Sequence, residues 1–201
     1  AEFFVLLLGL LIAIARTSTS PVLYPVRLVA TIYTDLFRGL PLLLVLLLVG
    51  LGIPGLRISW IPNSAVVLGT VALVLTYSAY VAEVIRAGIE GVNPTQRQAA
   101  RALGLTQSQT LEHVVLPQAF RNVTPPLLND LVSLQKDSGL ISVLGAVDAI
   151  RAAGIQTAQS FNFTPYLVAG ALFVLLTIPL TRFTDWLTRK QDARQRAQGQ
   201  W

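Results

Sequence analysis

A stripe of polar and charged residues lies within a largely apolar segment, residues 125–146. On a helix of 3.6 residues per turn these residues fall within an arc of about 120°. The members of this polar stripe are Asn129, Asp130, Ser133, Lys136 and Asp137. A charge at the centre of a bilayer costs at least ~2.5–3.5 kcal/mol, so such residues usually face a bundle interior or a water-filled path. The pattern therefore predicts the lining of a path for a polar solute.

The composition of the chain is typical of a membrane protein. Of its 201 residues, 53% are hydrophobic and 12% are charged, whereas soluble domains contain roughly 25% charged residues. The absence of cysteine excludes disulfides, thiolate metal sites and a cysteine nucleophile. The single histidine, His113, has no second histidine or cysteine with which to complete a metal site.

The apolar segments predict an all-α membrane protein with five crossings. The opening run AEFFVLLLGLLIAIAR is shorter than the ~20 residues that span a bilayer, so we expect the first helix to begin upstream. The arginine follows this apolar run, which favours a spanning helix over a signal peptide. The other predicted spans cover residues 36–54, 65–85, 125–146 and 164–184.

Basic residues are concentrated on one side of the predicted membrane. With five crossings, the segments 16–35, 86–124 and 185–201 share that side, and the opposite side carries only Arg57 and Arg151. Cytoplasmic segments retain Lys and Arg, which predicts a cytoplasmic loop and C-terminus. A basic rim beside anionic lipid explains the net charge of +5 without nucleic acid.

The loop 93–117 predicts two short helices. Asn93 and Pro94 form a helix start, with Gln96 placed to reach back to the cap, and Gly104 suits the position just past the helix end. Thr106 and Gln109 repeat the capping signal, and Pro117 is expected to stop the second helix.

The first of these helices has an apolar and a basic side. Ala99, Ala100 and Leu103 form the small apolar side, while Arg97 and Arg101 share another side. This pattern fits docking on a partner and equally fits an amphipathic pair lying on the membrane surface.

The loop resembles the EAA loop of bacterial ABC importer permeases. The residues that match are Gln98-Ala99-Ala100, Gly104 and Val114-Val115-Leu116-Pro117. The family usually has Glu where this chain has Gln98, so a hydrogen bond would replace an ion pair made there. The segments TDLFRGLPLLL (34–44), YSAYVAEVIRAGIEGV (77–92) and LPQAFRNVTPPLLNDLVSLQKDSGL (116–140) are similar to the histidine, arginine, glutamine and glutamate branch of these permeases.

The resemblance implies a transmembrane domain over residues 1–190 with a cytoplasmic tail, 191–201, in the bacterial inner membrane. It implies that an ATPase dimer docks on the loop 93–117, which we call the coupling loop. The resemblance and the spacing of the two arginines together predict the coupling residues Arg97, Gln98, Ala99, Ala100, Arg101, Gly104 and Pro117. The resemblance further implies a second permease chain, identical or sister, and an external amino-acid-binding protein. ATP and Mg belong to the ATPase, and no cofactor is expected on this chain.

For a transported amino acid, Asp130 is the first candidate ligand in the polar stripe. Its carboxylate can compensate the desolvated ammonium group, and Ser133 and Asn129 supply a hydroxyl and an amide. Alternatively, Lys136 neutralises Asp130 or Asp137 and only holds helices together, or the segment 136–138 lies in water at the outer interface.

Other polar residues near the span ends are expected to serve structure. Asp35 with Arg38, and Glu83 with Arg86, are spaced for ion pairs three residues apart. Tyr77 and Tyr80 are expected to pack between helices, and the alternative is that they line the cavity. Pro41 predicts a kink in the second span.

The sequence also leaves other transport mechanisms open. The glycine-rich segment GLGIPGL (50–56) lacks the lysine of a phosphate-binding loop, and no G-x-S-x-G occurs, so an enzyme is not expected. One alternative is an ion-coupled secondary carrier, which predicts paired repeats. Another is an importer permease for a different small solute.

Overall fold

The central element of the fold is helix α5, Ala65–Glu90. The computed structural model describes residues 1–18, 20–58 and 61–198, and the regular elements in these ranges are helices and helical turns. The helices α1 (Glu2–Thr17), α2 (Tyr24–Gly39), α3 (Leu42–Leu47) and α8 (Leu116–Asp137) pack against α5. Helix α10, Thr164–Gln198, packs on α8 and on α9, Ala149–Ser160. The short helices α4 (Ile53–Gly55), α6 (Pro94–Ala102) and α7 (Gln107–Thr110) complete the chain.

Small residues allow the helices around α5 to approach closely. A Cβ atom at Gly9 of α1 would lie 2.5 Å from Val81 Cγ1, and a Cβ atom at Gly88 of α5 would collide with Val123 of α8. In a bilayer, helices gain little from hydrophobic burial, so this close backbone approach supplies much of their packing energy. The two glycines therefore allow close packing of α1 on α5 at Val81 and of α8 on α5 at Gly88.

Two described helices are long and apolar enough to cross a membrane without a break. They are α5 and the first part of α10, Thr164–Gln191. Two bent pairs also qualify, Pro21–Gly39 with Leu42–Gly55 and Gln107–Leu144 with Ala149–Ser160. Helix α1 has 16 residues and is about 24 Å long at 1.5 Å per residue. These five segments correspond to the five predicted crossings.

The predicted second span, 36–54, is wrong as a single helix. The chain bends by 107° between the helical segments Pro21–Gly39 and Leu42–Gly55. Leu40 is extended, with φ −91° and ψ 137°, as expected for a residue that precedes proline. The predicted kink at Pro41 is confirmed, and it separates α2 from an apolar segment that packs Val45 and Leu46 against Ala72.

The predicted fourth span began too late and ended close to its true end. Helix α8 starts at Leu116 and contains Pro125 and Pro126, which the prediction had placed at the helix start. A 3₁₀ segment, Ser138–Leu144, follows α8 and ends at Gly145, whose φ is +92°. Helix α10 begins at the predicted residue, Thr164, and continues into the predicted tail; residues 199–201 of that tail lie outside the described part.

Candidate functional site

The coupling loop contains both predicted helix starts. Asn93 Oδ1 accepts a hydrogen bond from the Thr95 N–H over 2.9 Å, and Thr106 and Gln109 form a capping box. The predicted return of Gln96 to the first cap is wrong, because its side chain instead accepts a hydrogen bond from Gln118 of α8. This tertiary contact ties α6 to the base of α8.

Gly104 ends α6 in the left-handed conformation that the sequence predicts. Its φ is +89°, its N–H donates to Arg101 O, and the Leu105 N–H donates to Ala100 O. These two bonds form a Schellman motif, which satisfies carbonyl groups at the helix end. The motif fixes the direction in which the chain leaves α6.

The predicted apolar side of α6 is divided between the interior and the surface. Ala100 is 5% exposed and is therefore buried, whereas Leu103 is 82% exposed. Gln98 and Ala99 are exposed as well. Ala100 therefore packs inward, and its coupling role stays a prediction. The exposed part of this surface consists of Gln98, Ala99 and Leu103.

The two arginines of α6 donate to backbone carbonyls of the chain itself. Arg97 Nη2 donates to Ile89 O over 2.5 Å, and Arg101 Nη1 donates to Leu105 O over 2.7 Å. Arg97 thereby links α6 to the end of α5, and Arg101 supports the turn at Gly104. Each guanidinium keeps further N–H donors for other partners.

The prediction that Pro117 stops the second helix is wrong. A π-type turn, Leu111–Val115, joins α7 to α8, and the Leu116 N–H donates to Leu111 O, five residues earlier. This turn shifts the hydrogen-bond register, so the missing N–H of Pro117 falls in the first turn of α8. The coupling loop is therefore connected to α8 by continuous helical backbone.

The polar stripe lies on α8 as predicted, but its members face two directions. Asn129 and Lys136 are exposed, while Asp130, Ser133 and Asp137 are half-buried. Lys136 takes part in none of the ion pairs found among the described residues. The alternative in which Lys136 neutralises Asp130 or Asp137 is therefore wrong.

Asp130 lines a cavity of about 250 Å³ between α1, α5 and α8. The other polar residues of this cavity are Glu2, Tyr77 and Thr124, and the rest of its lining is apolar. Asp130 Oδ2 is buried and has no hydrogen-bond partner within the described part of the chain. An unpaired buried carboxylate oxygen in an apolar cavity can accept hydrogen bonds from a cationic group.

Tyr77 contributes more than the predicted helix packing. Its hydroxyl donates to Asp137 Oδ2 over 2.7 Å, and its ring lines the same cavity as Asp130. Glu2 was not singled out in the sequence, because a lone acidic residue at the start of an apolar run gives no spacing signal. Its place in the cavity follows from the packing of α1 against α5.

A second cluster of charges joins α1, α2 and α5 around one carboxylate. Glu83 Oε2 lies 2.7 Å from Arg16 Nη1 and 3.5 Å from Arg38 Nη1, and Glu83 Oε1 lies 2.5 Å from Arg86 Nη2. The predicted pair of Glu83 with Arg86 is confirmed. Asp35 is not the ion-pair partner of Arg38, because Arg38 extends to Glu83 instead.

Known proteins with similar sequences are transport permeases. Residues 5–194 match the family of binding-protein-dependent transport system inner membrane components. The arginine transport system permease protein ArtQ of Bacillus subtilis (strain 168) is 36% identical over 186 residues, which are 92% of this chain and 83% of that protein. The putative glutamine transport system permease protein GlnP of Rickettsia conorii (strain ATCC VR-613 / Malish 7) is 37% identical over 191 residues, covering 94% and 85%.

Solved structures with the same arrangement of helices come from ABC transporters. The chain of an amino acid ABC transporter crystallised with histidines is 36% identical, has a TM-score of 0.85, and is matched over 94% of this chain and 86% of that one. A chain of the inward-facing MetNI methionine ABC transporter has a TM-score of 0.73 at 19% identity over 94% and 88%, which shows the fold alone. The predicted fold class, the all-α core of an ABC importer permease, is confirmed. This chain belongs to the family of inner membrane components of binding-protein-dependent transport systems.

Proposed function

We propose that this chain is the permease subunit of an ATP-driven importer for a polar amino acid. The observation that carries the proposal is the surface of Gln98, Ala99 and Leu103 on α6, where Leu103 is 82% exposed and the helix is held by its own caps. An exposed apolar surface rimmed by polar residues can mark a site of protein interaction. The names of the related permeases support the amino acid substrate.

In this proposal the coupling loop faces the cytoplasm and receives the ATPase subunit. Two copies of the permease, or this chain and a sister chain, form the path, two ATPase chains bind ATP and Mg, and an external binding protein delivers the substrate. This chain has no ATPase site of its own and holds no cofactor. Closure of the ATPases moves α6. The polar stripe on α8 follows this motion, because Gln118 of α8 is hydrogen-bonded to Gln96 of α6 and because helical backbone continues from α7 into α8.

Asp130 receives the ammonium group of the substrate in the cavity between α1, α5 and α8. Its unpaired Oδ2 atom supports this role, because a buried carboxylate oxygen gains most from a cationic partner. Asn129, Ser133, Lys136 and Asp137 continue the path along α8. Lys136 is exposed and unpaired with carboxylates in the described part of the chain, and it suits the substrate carboxylate.

The proposal is tested by co-purification of the ATPase subunit with two matched variants. Leu103→Glu places a charge on the docking surface and is expected to abolish ATPase binding and uptake of labelled amino acids. Val147→Glu is the control, because Val147 is 75% exposed and lies beyond the opposite end of α8. Equal loss of binding in both variants, or uptake driven by an ion gradient through the purified chain alone, contradicts the proposal.

A further inference from the structure

We propose that a carboxylate side chain of the docked ATPase subunit enters a cavity between α6 and α7 and binds Arg97 and Arg101. This inference rests on the proposed function, because a subunit docked on the coupling loop brings that side chain to the cavity. It predicts that the ATPase subunit has an acidic residue in the groove that receives α6.

The cavity has a volume of about 340 Å³ and is part of the coupling loop itself. Its lining residues come from α6, α7 and the π-type turn, and they are Arg97, Arg101, Gln107, Thr110, Leu111 and Val115. None of these lining residues is acidic, and α6 carries no carboxylate along its length, Pro94–Ala102. The two guanidinium groups therefore have no counterion within the cavity wall.

Two buried polar atoms of the cavity wall lack a hydrogen-bond partner. Thr110 is 5% exposed, and its hydroxyl oxygen forms no hydrogen bond within the described part of the chain. The Nε atom of Arg97 is buried and unpartnered in the same way. Because an unsatisfied buried donor is costly, these two groups indicate a binding site that an acceptor completes.

The hydrogen bonds of the two arginines hold their guanidinium groups in place. Arg97 Nη2 is bound to Ile89 O and Arg101 Nη1 to Leu105 O, which leaves the other N–H groups free to bind an anion. Held guanidinium groups lose little further entropy when a carboxylate binds. The site is thus organised before the partner arrives.

The apolar part of the wall favours a protein side chain over a free anion. Leu111 and Val115 line the cavity beside the two arginines and the Thr110 hydroxyl. The methylene groups of an aspartate or glutamate side chain can contact these residues, while its carboxylate reaches the arginines. The arginines stand on α6 beside Gln98 and Ala99, so the cavity adjoins the proposed docking surface.

The first experiment measures the dissociation constant of the ATPase subunit for the reconstituted permease over a range of salt concentrations. Thr110→Val retains the shape of the side chain and removes only the unpaired hydroxyl. We expect it to weaken ATPase binding by about tenfold, the effect of one hydrogen bond to a charged group. Its thermal stability is expected to remain equal to that of the wild type or to rise.

A second pair of variants tests the charge. Arg101→Gln is expected to weaken binding by about tenfold or more and to reduce its salt dependence. Arg121→Gln is the matched control, because Arg121 is an exposed arginine of α8 that does not line the cavity. Arg101→Glu is expected to abolish binding, and replacing one acidic residue of the ATPase groove with Lys is expected to restore it.

The outcomes separate this inference from the proposed function. Suppose that the ATPase binds the wild type, that Leu103→Glu abolishes this binding, and that Thr110→Val and Arg101→Gln bind the ATPase as tightly as Arg121→Gln does. The proposed carboxylate site is then wrong, and the proposed docking on α6 is retained. If inorganic phosphate or vesicles of anionic lipid bind at the two arginines, and no acidic-to-Lys substitution in the ATPase restores binding to Arg101→Glu, the occupant of the cavity is not the ATPase. If the ATPase does not bind the wild type at all, the proposed function itself fails.

Discussion

The Tyr77 hydroxyl donates to Asp137 Oδ2 over 2.7 Å and joins α5 to α8 beside the cavity that Asp130 lines. This bond holds one carboxylate of the polar stripe, whereas Oδ2 of the other, Asp130, has no hydrogen-bond partner among the described residues. The two aspartates are seven residues apart on the same face of α8, so their environments differ through what α5 presents to each. The bond thus gives Asp137 a structural contact in addition to its proposed place in the path, and Asp130 keeps an unpaired oxygen for the ligand role proposed above.

The variant Tyr77→Phe is expected to destabilise the protein by ~1–3 kcal/mol, because Asp137 loses the donor that satisfies it. The measurement is the midpoint of unfolding in detergent. Tyr80→Phe is the control, since Tyr80 neighbours Tyr77 at a ring distance of 6.1 Å and is 37% exposed. A Tyr77→Phe protein as stable as Tyr80→Phe would show that the hydroxyl contributes nothing.

Asp130→Asn is expected to weaken direct binding of a labelled amino acid to the purified complex by about tenfold or more, through loss of one charged contact. ATP hydrolysis without substrate is expected to stay unchanged, and stability to stay equal or rise, because an unpaired buried carboxylate is removed. Asp148→Asn is the control, since an amide can keep the cap on α9 that Asp148 forms with the Arg151 N–H. Unaltered substrate binding in Asp130→Asn would remove this residue from the path.

Glu83→Gln is expected to destabilise the assembly of α1, α2 and α5, because Arg16, Arg38 and Arg86 lose their shared carboxylate. The expected loss is ~1–3 kcal/mol, since the side chain is 20% exposed and screening is only partial. Glu90→Gln, at a site that is 57% exposed, is expected to change stability by less than ~1 kcal/mol. Chemical unfolding of the two variants distinguishes them, and equal effects would mean that the cluster does not hold the helices.

Gly88→Ala is expected to weaken the packing of α5 on α8, because the added methyl group collides with Val123. Overpacking of this kind typically costs ~1–3 kcal/mol. Gly170→Ala adds the same methyl group within α10, where the described part of the chain places no atom of another segment within 4 Å of it, and it is expected to be neutral or slightly stabilising. The unfolding midpoints of the two variants test the close approach of α5 to α8 at Gly88. A Gly88→Ala protein as stable as Gly170→Ala would show that the two helices are not in close contact there.

Local signals in the sequence predicted the two helix starts and the glycine turn of the coupling loop. The caps at Asn93 and Thr106 and the end at Gly104 depend on residues within one turn of one another, so spacing alone reveals them. The partners of Gln96 and Arg38 were not predictable in this way, because Gln118 and Glu83 lie on other helices.

The site on α8 was predictable in part, for a related physical reason. A helical wheel identifies the polar face, but it cannot tell which edge of that face meets α5. Asp130 and Asp137 turn towards the helix that carries Tyr77, while Asn129 and Lys136 remain exposed. The π-type turn before Pro117 likewise could not be predicted, because no residue spacing in the sequence distinguishes hydrogen bonds between residues five apart from those between residues four apart.

A series of substitutions at Gly104 separates backbone conformation from steric contact in the coupling loop. Among the described residues, nothing lies within 4 Å of a Cβ atom built at this position, so a methyl group meets no obstacle there. The φ of +89° is unfavourable for residues with a Cβ atom, by ~1–2 kcal/mol, and least so for Asn. We therefore expect ATPase binding to fall in the order Gly, Asn, Ala, Val, as measured with reconstituted permease, because β-branched Val opposes the turn that fixes α6. If Gly104→Val binds the ATPase as tightly as Gly104→Asn does, the left-handed turn does not govern docking. The surface of α6 is then held by its other contacts, which include those with Ile89 and Gln118.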